Sequence, residues 1–244
     1  MSVHPLPPSV PPGEGKYRWY KDLNRYHWFV VIVASMGWMF DTMDQQLFNL
    51  ARKPAIAELL GASASAGEKD YQAGLSTAIF MIGWALGGLL FGVLGDRLGR
   101  VKTMTITILC YSLFTVANAF SVGIVDFCLY RFLCGFGVGG QFAVGVALVA
   151  EVVPARTRPY ALGLVQAMSA IGNMMAAAMG IFLGQLEQAG TITSAWRYLF
   201  IVGAIPAPLA IVVFKKLKEP DAWLKARAAK VKMGSFKELL GDPR

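Results

Sequence analysis

The sequence predicts an all-α fold that crosses a membrane several times. Of the 244 residues, 55% are hydrophobic and only 16% are charged, whereas a soluble domain carries about 25% charged residues. Several apolar runs reach about 20 residues, the length that a helix needs to cross a bilayer core of about 30 Å. We predict six spans within residues 27–214, preceded by an N-terminal segment (1–26) and followed by a C-terminal segment (215–244).

The N-terminal segment, residues 1–26, is predicted to be a disordered cytoplasmic arm. Residues 1–15 are rich in proline and contain no long apolar run, so they do not resemble a signal peptide. A basic collar with several tyrosines and tryptophans follows, directly before the first span. Lysine and arginine accumulate on the cytoplasmic side of a membrane. The collar therefore places this end of the chain in the cytoplasm.

The spans alternate with short polar segments. They are predicted at about residues 27–50, 71–94, 101–120, 127–150, 160–183 and 198–214. An external loop that contains Pro54 is expected after the first span. An even number of spans places residue 244 in the cytoplasm as well, and most of the 23 lysines and arginines lie in segments on that side. Membrane topology thus explains the formal charge of +8, and we expect no nucleic-acid partner.

A short hairpin of charge and glycine separates the second span from the third. It contains Gly92, Asp96, Arg97, Gly99 and Arg100. The spacing G-x-x-x-D-R-x-G-R-x-K resembles the cytoplasmic signature loop of the major facilitator superfamily, which joins that family's second and third helices. The alternative is an ordinary hairpin on the positively charged side of the membrane.

Three further stretches carry the same resemblance. The run from Arg131 to Gly140 resembles the R-x-x-x-G-x-G-x-G-G pattern of the family's fourth helix. The segment from Glu151 to Arg158 is similar to the E-x-x-P-x-x-x-R segment of its sugar-porter and organic-acid branches. A shorter match to P-E-S-P-R-W-L, which follows helix six in these branches, falls at Glu219, Trp223 and Leu224.

The resemblance implies half of a twelve-helix fold, because each half of these transporters is a 3+3 inverted repeat. Residues 215–244 would then begin the central cytoplasmic loop, and the second six helices would be missing from a truncated or otherwise incomplete chain. Such a half is not expected to transport by itself. A stripe of small residues on the fifth span packs either against the missing half or within this one, and its members are Gly172, Ala176, Gly180 and Gly184.

The family also implies a cytoplasmic gate, in which opposite charges latch the helix ends while the inner side is closed. The gate residues predicted here lie in the hairpin and in the segment after the fourth span, and they are Gly92, Asp96, Arg97, Gly99, Arg100, Glu151 and Arg158. Exposed pairs contribute only about 0–1 kcal/mol each, which suits a latch that must open. The alternative is that these charges determine topology alone.

Charged residues inside the predicted spans are functional candidates, because a charge at the membrane centre costs from about 3 to more than 10 kcal/mol. Asp41, Asp44 and Gln45 share one face of the first span at i, i+3 and i+4. Arg131 lies in the fourth span at a similar depth, so we expect it to pair with one of the aspartates. Gln141, further along the fourth span, forms a hydrogen bond either to a substrate or between helices.

These residues predict secondary transport of a small organic anion in symport with protons, in the inner or plasma membrane. The arginine would hold a carboxylate, and an aspartate would take up the proton. The run Asp41-Thr42-Met43-Asp44 resembles the D-G-[YF]-D of the aromatic-acid/proton symporters, with Thr42 in place of the glycine. A purely structural ion pair is the alternative for these charges.

Two other functions stay open from the sequence alone: a sugar or polyol facilitator or symporter, and a membrane receptor or scaffold that does not transport. An enzyme is the least expected class, and we expect no cofactor and no metal. The three cysteines lie separately in apolar runs, and the two histidines are far apart near the N-terminus. The expected partners are a small solute, protons, the lipid bilayer and the second six-helix half.

Overall fold

The computed structural model describes residues 18–229 and Gly234, and these residues form α-helices and no strand. The helices are α1 (Arg25–Leu60), α2 (Ala66–Leu98), α3 (Arg100–Asn118), α4 (Ile124–Val152), α5 (Arg158–Gln188), α6 (Ala195–Val202), α7 (Ala207–Lys216) and α8 (Asp221–Ala228). A single 3-10 turn, Trp19–Lys21, precedes them. The prediction of an all-α fold is confirmed.

Five helical stretches in the described part of the chain are long and apolar enough to cross a membrane. They are α2, α3, α4, α5 and the stretch formed by α6 and α7 together, Ala195–Lys216. The remaining predicted span is α1, which at 36 residues is easily long enough. It falls outside this group because its middle carries Asp41, Asp44 and Gln45. The fold is that of a multi-pass membrane protein.

The first helix is longer than the predicted first span. The prediction of a loop at Pro54 is wrong. Pro54 lies inside α1, and the helix continues to Leu60. A proline removes one backbone hydrogen bond from a helix interior, and a long helix tolerates that loss. The helix ends instead at Gly61, whose φ of 76° lies in the left-handed region that favours glycine.

The sixth predicted span is not one continuous helix. It is broken between α6 and α7 at residues 203–206. Pro206 and Pro208 both lie at the start of α7, where their missing N–H groups interrupt the ladder of backbone hydrogen bonds. The two pieces together still have the length of one span.

Part of the predicted disordered arm is ordered. The ring of Trp19 stacks on that of Tyr160, with centroids 5.7 Å apart and planes within 6°. The hydroxyl of Tyr26 donates to the backbone oxygen of Lys218 at 3.0 Å. Residues 18–26 are therefore ordered, and the rest of the predicted arm, residues 1–17, lies outside the described residues, as do 230–233 and 235–244.

The helix contacts follow the symmetry expected of a 3+3 repeat. The most extensive contact joins α2 to α4, and α1 packs most closely against α5. Exchanging the first three spans for the second three converts the α2–α4 contact into the α5–α1 contact. The described helices thus show the pairing that an inverted repeat requires.

Glycines permit these two close contacts. A Cβ on Gly87 would collide with the backbone carbonyl of Phe136, so α2 and α4 touch backbone to backbone. On the symmetric side, a Cβ on Gly172 would collide with the carbonyl of Met39. At Gly172, the stripe of small residues on the fifth span therefore packs within this half, against α1. Gly184, at the outer end of the stripe, has no atom within 4 Å of an added Cβ.

We predict that Gly87→Ala destabilises the bundle, because the added methyl group must push α4 away from α2. Overpacking costs about 1–3 kcal/mol, which lowers the melting temperature of the purified protein in detergent by roughly 2–10 °C. Gly74→Ala is the control, because Gly74 lies on the same helix and an added Cβ there meets nothing within 4 Å. Equal losses in both variants would show that the α2–α4 contact is not the cause.

Candidate functional site

A buried ion pair joins α1 to α4. A terminal nitrogen of Arg131 (Nη1) lies 3.8 Å from Oδ2 of Asp44, and both side chains are fully buried. This separation makes an electrostatic pair without a direct hydrogen bond. The structure thus brings together the predicted arginine and one of the two predicted aspartates.

Aromatic rings surround the rest of the Arg131 guanidinium. Its central carbon lies 4.9 Å from the ring centroid of Phe48, 5.9 Å from that of Phe80 and 4.8 Å from that of Phe200. A desolvated cation gains about 2 kcal/mol or more from such a ring face. None of the three guanidinium nitrogens has a hydrogen-bond partner among the described residues. The cation is therefore held by ring faces and one carboxylate, and its directional N–H donors are unused.

Two neutral side chains bind the partner carboxylate. The hydroxyl of Thr115, on α3, donates to Oδ1 of Asp44 at 2.7 Å. The thiol of Cys134, on α4, donates to Oδ2 at 3.3 Å. The sequence analysis did not identify either residue. Cys134 follows Arg131 by three positions and so lies on the same helix face. That spacing could have identified Cys134 from the sequence, whereas no sequence pattern pointed to Thr115.

Asp41 lies apart from this pair and faces a cavity of about 160 Å³ between α1, α2 and α4. The cavity is lined by Trp38, Asp41, Thr42, Gln45, Met81, Trp84 and Val138. Neither carboxylate oxygen of Asp41 has a hydrogen-bond partner in the part of the chain that the structure describes, and the residue is only 1% exposed. Of the predicted site residues, Asp41 and Gln45 line the cavity, whereas Asp44 and Arg131 do not.

Gln141 lies at the contact between α1 and α4 and does not line the cavity. A Cβ on Gly37 would collide with its Nε2 atom, so the amide lies directly on the backbone of α1. Nε2 has no hydrogen-bond partner within residues 18–229 or Gly234. The geometry agrees better with an interhelical position than with a contact to a solute in this cavity.

Three of the predicted gate residues meet where the C-terminal ends of α2 and α4 adjoin the start of α3. Nη2 of Arg100 lies 2.5 Å from a carboxylate oxygen of Asp96 and 2.7 Å from one of Glu151. A second bond runs from Nε of Arg100 to Glu151 at 3.1 Å. Arg97 instead donates to the backbone oxygen of Gly234 at 2.9 Å. Nε of Arg158 has no partner among the described atoms, so the structure does not bring Arg158 into this network.

The carboxylate of Glu219 caps the N-terminus of α3. It accepts the backbone N–H of Arg100 at 2.7 Å and that of Val101 at 3.2 Å. The first N–H groups of a helix have no partner within the helix, and an anion there is favoured by the helix dipole. Nearby, Nε1 of Trp223 donates to the backbone oxygen of Asp96 at 2.7 Å. The sequence showed Glu219 and Trp223 only as a short match, and it did not indicate their partners.

The two predicted gate glycines differ in their surroundings. Gly99 is the one residue between α2 and α3, with a φ of 111°, and a Cβ there would collide with the carboxylate of Glu219. Both its conformation and its neighbour therefore require glycine. Gly92 has no atom within 4 Å of an added Cβ, so nothing among the described residues explains it.

A second polar cluster, not predicted from the sequence, lies at the opposite end of the bundle from Arg100. The carboxylate of Glu58, near the end of α1, accepts hydrogen bonds from Trp196 at 2.7 Å, Ser194 at 2.8 Å and Arg197 at 3.0 Å. Arg197 also donates to the backbone oxygen of Ala119 at 2.6 Å. Partial burial alone would raise the pKa of Glu58, but these hydrogen bonds and the Arg197 charge outweigh it and lower that pKa.

Membrane-length helices that bury an ion pair and a cavity with a carboxylate in its wall define a class: polytopic membrane proteins with charged groups inside the bundle. Within this class, the sequence model of the Major Facilitator Superfamily matches residues 28–244, and the chain belongs to this family. Its members are transporters and not enzymes.

Individual relatives agree with this assignment. The chain is 31% identical over 202 residues to the niacin transporter NiaP of Acinetobacter baylyi, covering 83% of this chain and 43% of that protein. It is 30% identical over 207 residues to the benzoate transport protein of the same species, covering 83% of this chain and 41% of that protein. The chain spans about half the length of the curated relatives it matches.

A solved structure shows the same fold. The xylose transporter XylE from E. coli, in a partially occluded inward-open conformation, matches with a TM-score of 0.75 at 21% identity. The match covers 84% of this chain and 51% of that one. At this identity the similarity concerns the fold alone.

We predict that Glu219→Ala loosens the N-terminal end of α3. Removing a helix cap costs about 0.5–2 kcal/mol, and hydrogen exchange of the first backbone amides of α3 should accelerate accordingly. Asp221→Ala is the control, because Asp221 is an exposed carboxylate in the first turn of α8. If the two variants accelerate hydrogen exchange in α3 equally, the carboxylate of Glu219 does not stabilise the start of α3.

We predict that Glu58→Gln removes a pH-dependent part of the stability. The folded-state pKa of Glu58 is below its ordinary value of 4.5, so its contribution is present above about pH 4.5 and is lost as the pH falls through the folded-state value. The melting temperatures of the native protein and the variant should therefore differ near neutral pH and converge in acid. Glu68→Gln, a change of an exposed carboxylate on α2, should leave the native curve unchanged. A difference between native and Glu58→Gln protein that stays constant with pH would contradict the prediction.

Proposed function

We propose that this chain forms the N-terminal half of a secondary transporter that moves a small organic anion in symport with protons by alternating access. The observation that carries the proposal is the buried Arg131–Asp44 pair, in a bundle that also contains a cavity lined by Asp41 and Gln45. Residues 215–244 begin the connection to a second six-helix half, and both ends of the chain face the cytoplasm of a cell whose inner or plasma membrane holds the protein.

Proton uptake and anion binding are linked through Asp44. While Asp44 is charged, it neutralises Arg131 at 3.8 Å. A proton on Asp44 removes this counter-ion and leaves a buried cation with unused N–H donors. A substrate carboxylate can then take the place of the aspartate, in the two-point geometry that a guanidinium offers. The proton and the anion would thus bind together.

The cavity supplies the path to this pair. Gln45, next in sequence to Asp44, lines the cavity together with Asp41. Neither carboxylate oxygen of Asp41 has a partner in hydrogen-bond geometry among the described residues, although the side chain is buried, and a proton on it would remove a charge that is costly to bury. We assign Asp41 and Gln45 to the polar wall of the solute path and Asp44 to proton coupling.

The relatives support an anion as the solute. Niacin and benzoate are both small carboxylates, and the proteins that carry these names share about 30% of their residues with this chain. The xylose transporter supports the second candidate, a sugar porter. A receptor or scaffold on the same helices is the third, and a measured flux would exclude it.

At the cytoplasmic surface, we assign Asp96, Arg100 and Glu151 to a gate. Their ion pairs join the ends of three helices and are partly exposed. Pairs of this kind contribute little each, so the network is weak enough to break when the inner side opens.

The test is uptake by proteoliposomes that contain the complete transporter, meaning this chain continued by its second six-helix half. Labelled benzoate and xylose are supplied with and without an inward proton gradient. We predict gradient-driven accumulation of the carboxylate, its loss in Asp44→Asn, and a loss of at least about tenfold in Arg131→Lys, because a lysine cannot reproduce the forked contact. Asp70→Asn, a change in an exposed pair with Lys53, is the matched control.

Equilibration of xylose without dependence on the gradient would replace the anion symporter with the sugar facilitator. Full accumulation in both Asp44→Asn and Arg131→Lys would show that the pair is structural. The 244-residue chain alone, reconstituted in the same way, is expected to give no uptake, since alternating access places the solute path between two halves.

A further inference from the structure

The carboxylate of Asp44 is bound by two uncharged donors as well as by Arg131. Thr115 contacts one oxygen and Cys134 the other, and the Thr115 hydroxyl lies 3.1 Å from the Cys134 sulfur. Arg131 lies farther away, at 3.8 Å, and donates no hydrogen bond to the carboxylate. The directional bonds to the charged form of Asp44 therefore come from the threonine and the cysteine.

Packing holds the Thr115 side chain in this orientation. The residue is fully buried, and its methyl group lies against Gly203, where a Cβ would collide with it. Gly203 belongs to the break between α6 and α7. The break thus fixes the methyl group, which directs the hydroxyl toward Asp44.

The surroundings of Asp44 contain few other ionisable groups. Those that face it within residues 18–229 are Asp41 on α1, Tyr111 on α3, and Cys134 and Arg131 on α4. The sides formed by α2 and α6 contribute aromatic rings, those of Phe80 and Phe200, which face Arg131. Because so few charges lie nearby, these two hydrogen bonds provide a large part of the stabilisation of the charged carboxylate.

We propose that Thr115 and Cys134 are positioning residues for proton coupling, which hold the charged Asp44 carboxylate beside Arg131 and set the external pH at which uptake is half-maximal. This inference rests on the proposed function, because it requires Asp44 to be the proton carrier. Neither residue lines the cavity. Both act through Asp44.

The direction of the effect follows from which form of Asp44 the donors bind. A hydrogen bond donated to a carboxylate stabilises its charged form. Removing the donor lets the proton bind at a higher pH, so the half-maximal pH of uptake moves upward. A hydrogen bond to a charged group corresponds to about one pH unit or more, and a thiol is a weaker donor than a hydroxyl. The shift should be larger for Thr115 than for Cys134.

The experiment measures the pH dependence of carboxylate uptake by the complete transporter in proteoliposomes. Thr115→Val keeps the methyl group against Gly203 and removes only the hydroxyl; it should move the midpoint upward by about one pH unit. Thr115→Ser should restore the native midpoint. Cys134→Ala should give a smaller upward shift. Thr107→Val is the matched control, because Thr107 is equally buried on the same helix but donates to its own backbone, at Met104.

The outcomes separate this inference from the proposed function. If Asp44→Asn abolishes gradient-driven uptake while Thr115→Val and Cys134→Ala keep the native midpoint, the inference is overturned and the proposed function stands. If Asp44→Asn keeps gradient-driven uptake, Asp44 does not carry the proton and both fail. An equal midpoint shift in Thr107→Val would show a packing effect and would overturn the inference.

An infrared titration provides a second measurement for any variant that folds but transports too slowly for a pH profile. The carboxyl band that is absent from Asp44→Asn reports the proton on Asp44 in the purified transporter. This band should titrate at a higher pH in Thr115→Val than in the native protein. An unchanged titration would overturn the inference without reference to uptake.

Discussion

The charge of Arg131, held where neither water nor an open surface can solvate it, is the constraint on which the rest of the bundle depends. An isolated buried cation is expensive, and three other helices share in offsetting that cost. Asp44 on α1 supplies the opposite charge, and rings from α1, α2 and α6 cover the guanidinium. The helices must therefore converge at one depth, which links the arrangement of the spans to the chemistry of a single side chain.

Such convergence requires backbones that can touch. Gly87 allows α2 to meet α4, and Gly172 allows α5 to meet α1. These two contacts occupy equivalent positions in the two sets of three spans, so both pairs of helices meet at a glycine. Without a hydrophobic driving force between helices in lipid, close van der Waals packing is what remains to hold them together. The small residues are thus as necessary to the polar site as its charged members.

Much of this arrangement could be predicted from the sequence, because hydropathy and charge asymmetry respond to the bilayer directly. The spans and the pairing of Arg131 with an aspartate follow from depth and spacing, whereas the set of gate charges came from the family resemblance, without the particular bonds of Arg100. The choice of Asp44 over Asp41, and the bonds from Thr115 and Cys134, depend on how α1, α3 and α4 are rotated about their axes. No local pattern encodes that rotation. Proline alone does not predict where a helix breaks. The helix α1 continues through Pro54, whereas the sixth span is interrupted at residues 203–206. Tertiary packing decides between these outcomes.

The cap that Glu219 places on α3 also has a mechanical consequence. Glu219 and Trp223 lie just beyond the last span and are bonded to the start of α3 and the end of α2, while Lys218 is bonded to Tyr26 at the start of α1. A force applied to the chain beyond residue 223 is therefore shared by the adjoining ends of α1, α2 and α3, and α7 does not bear it alone.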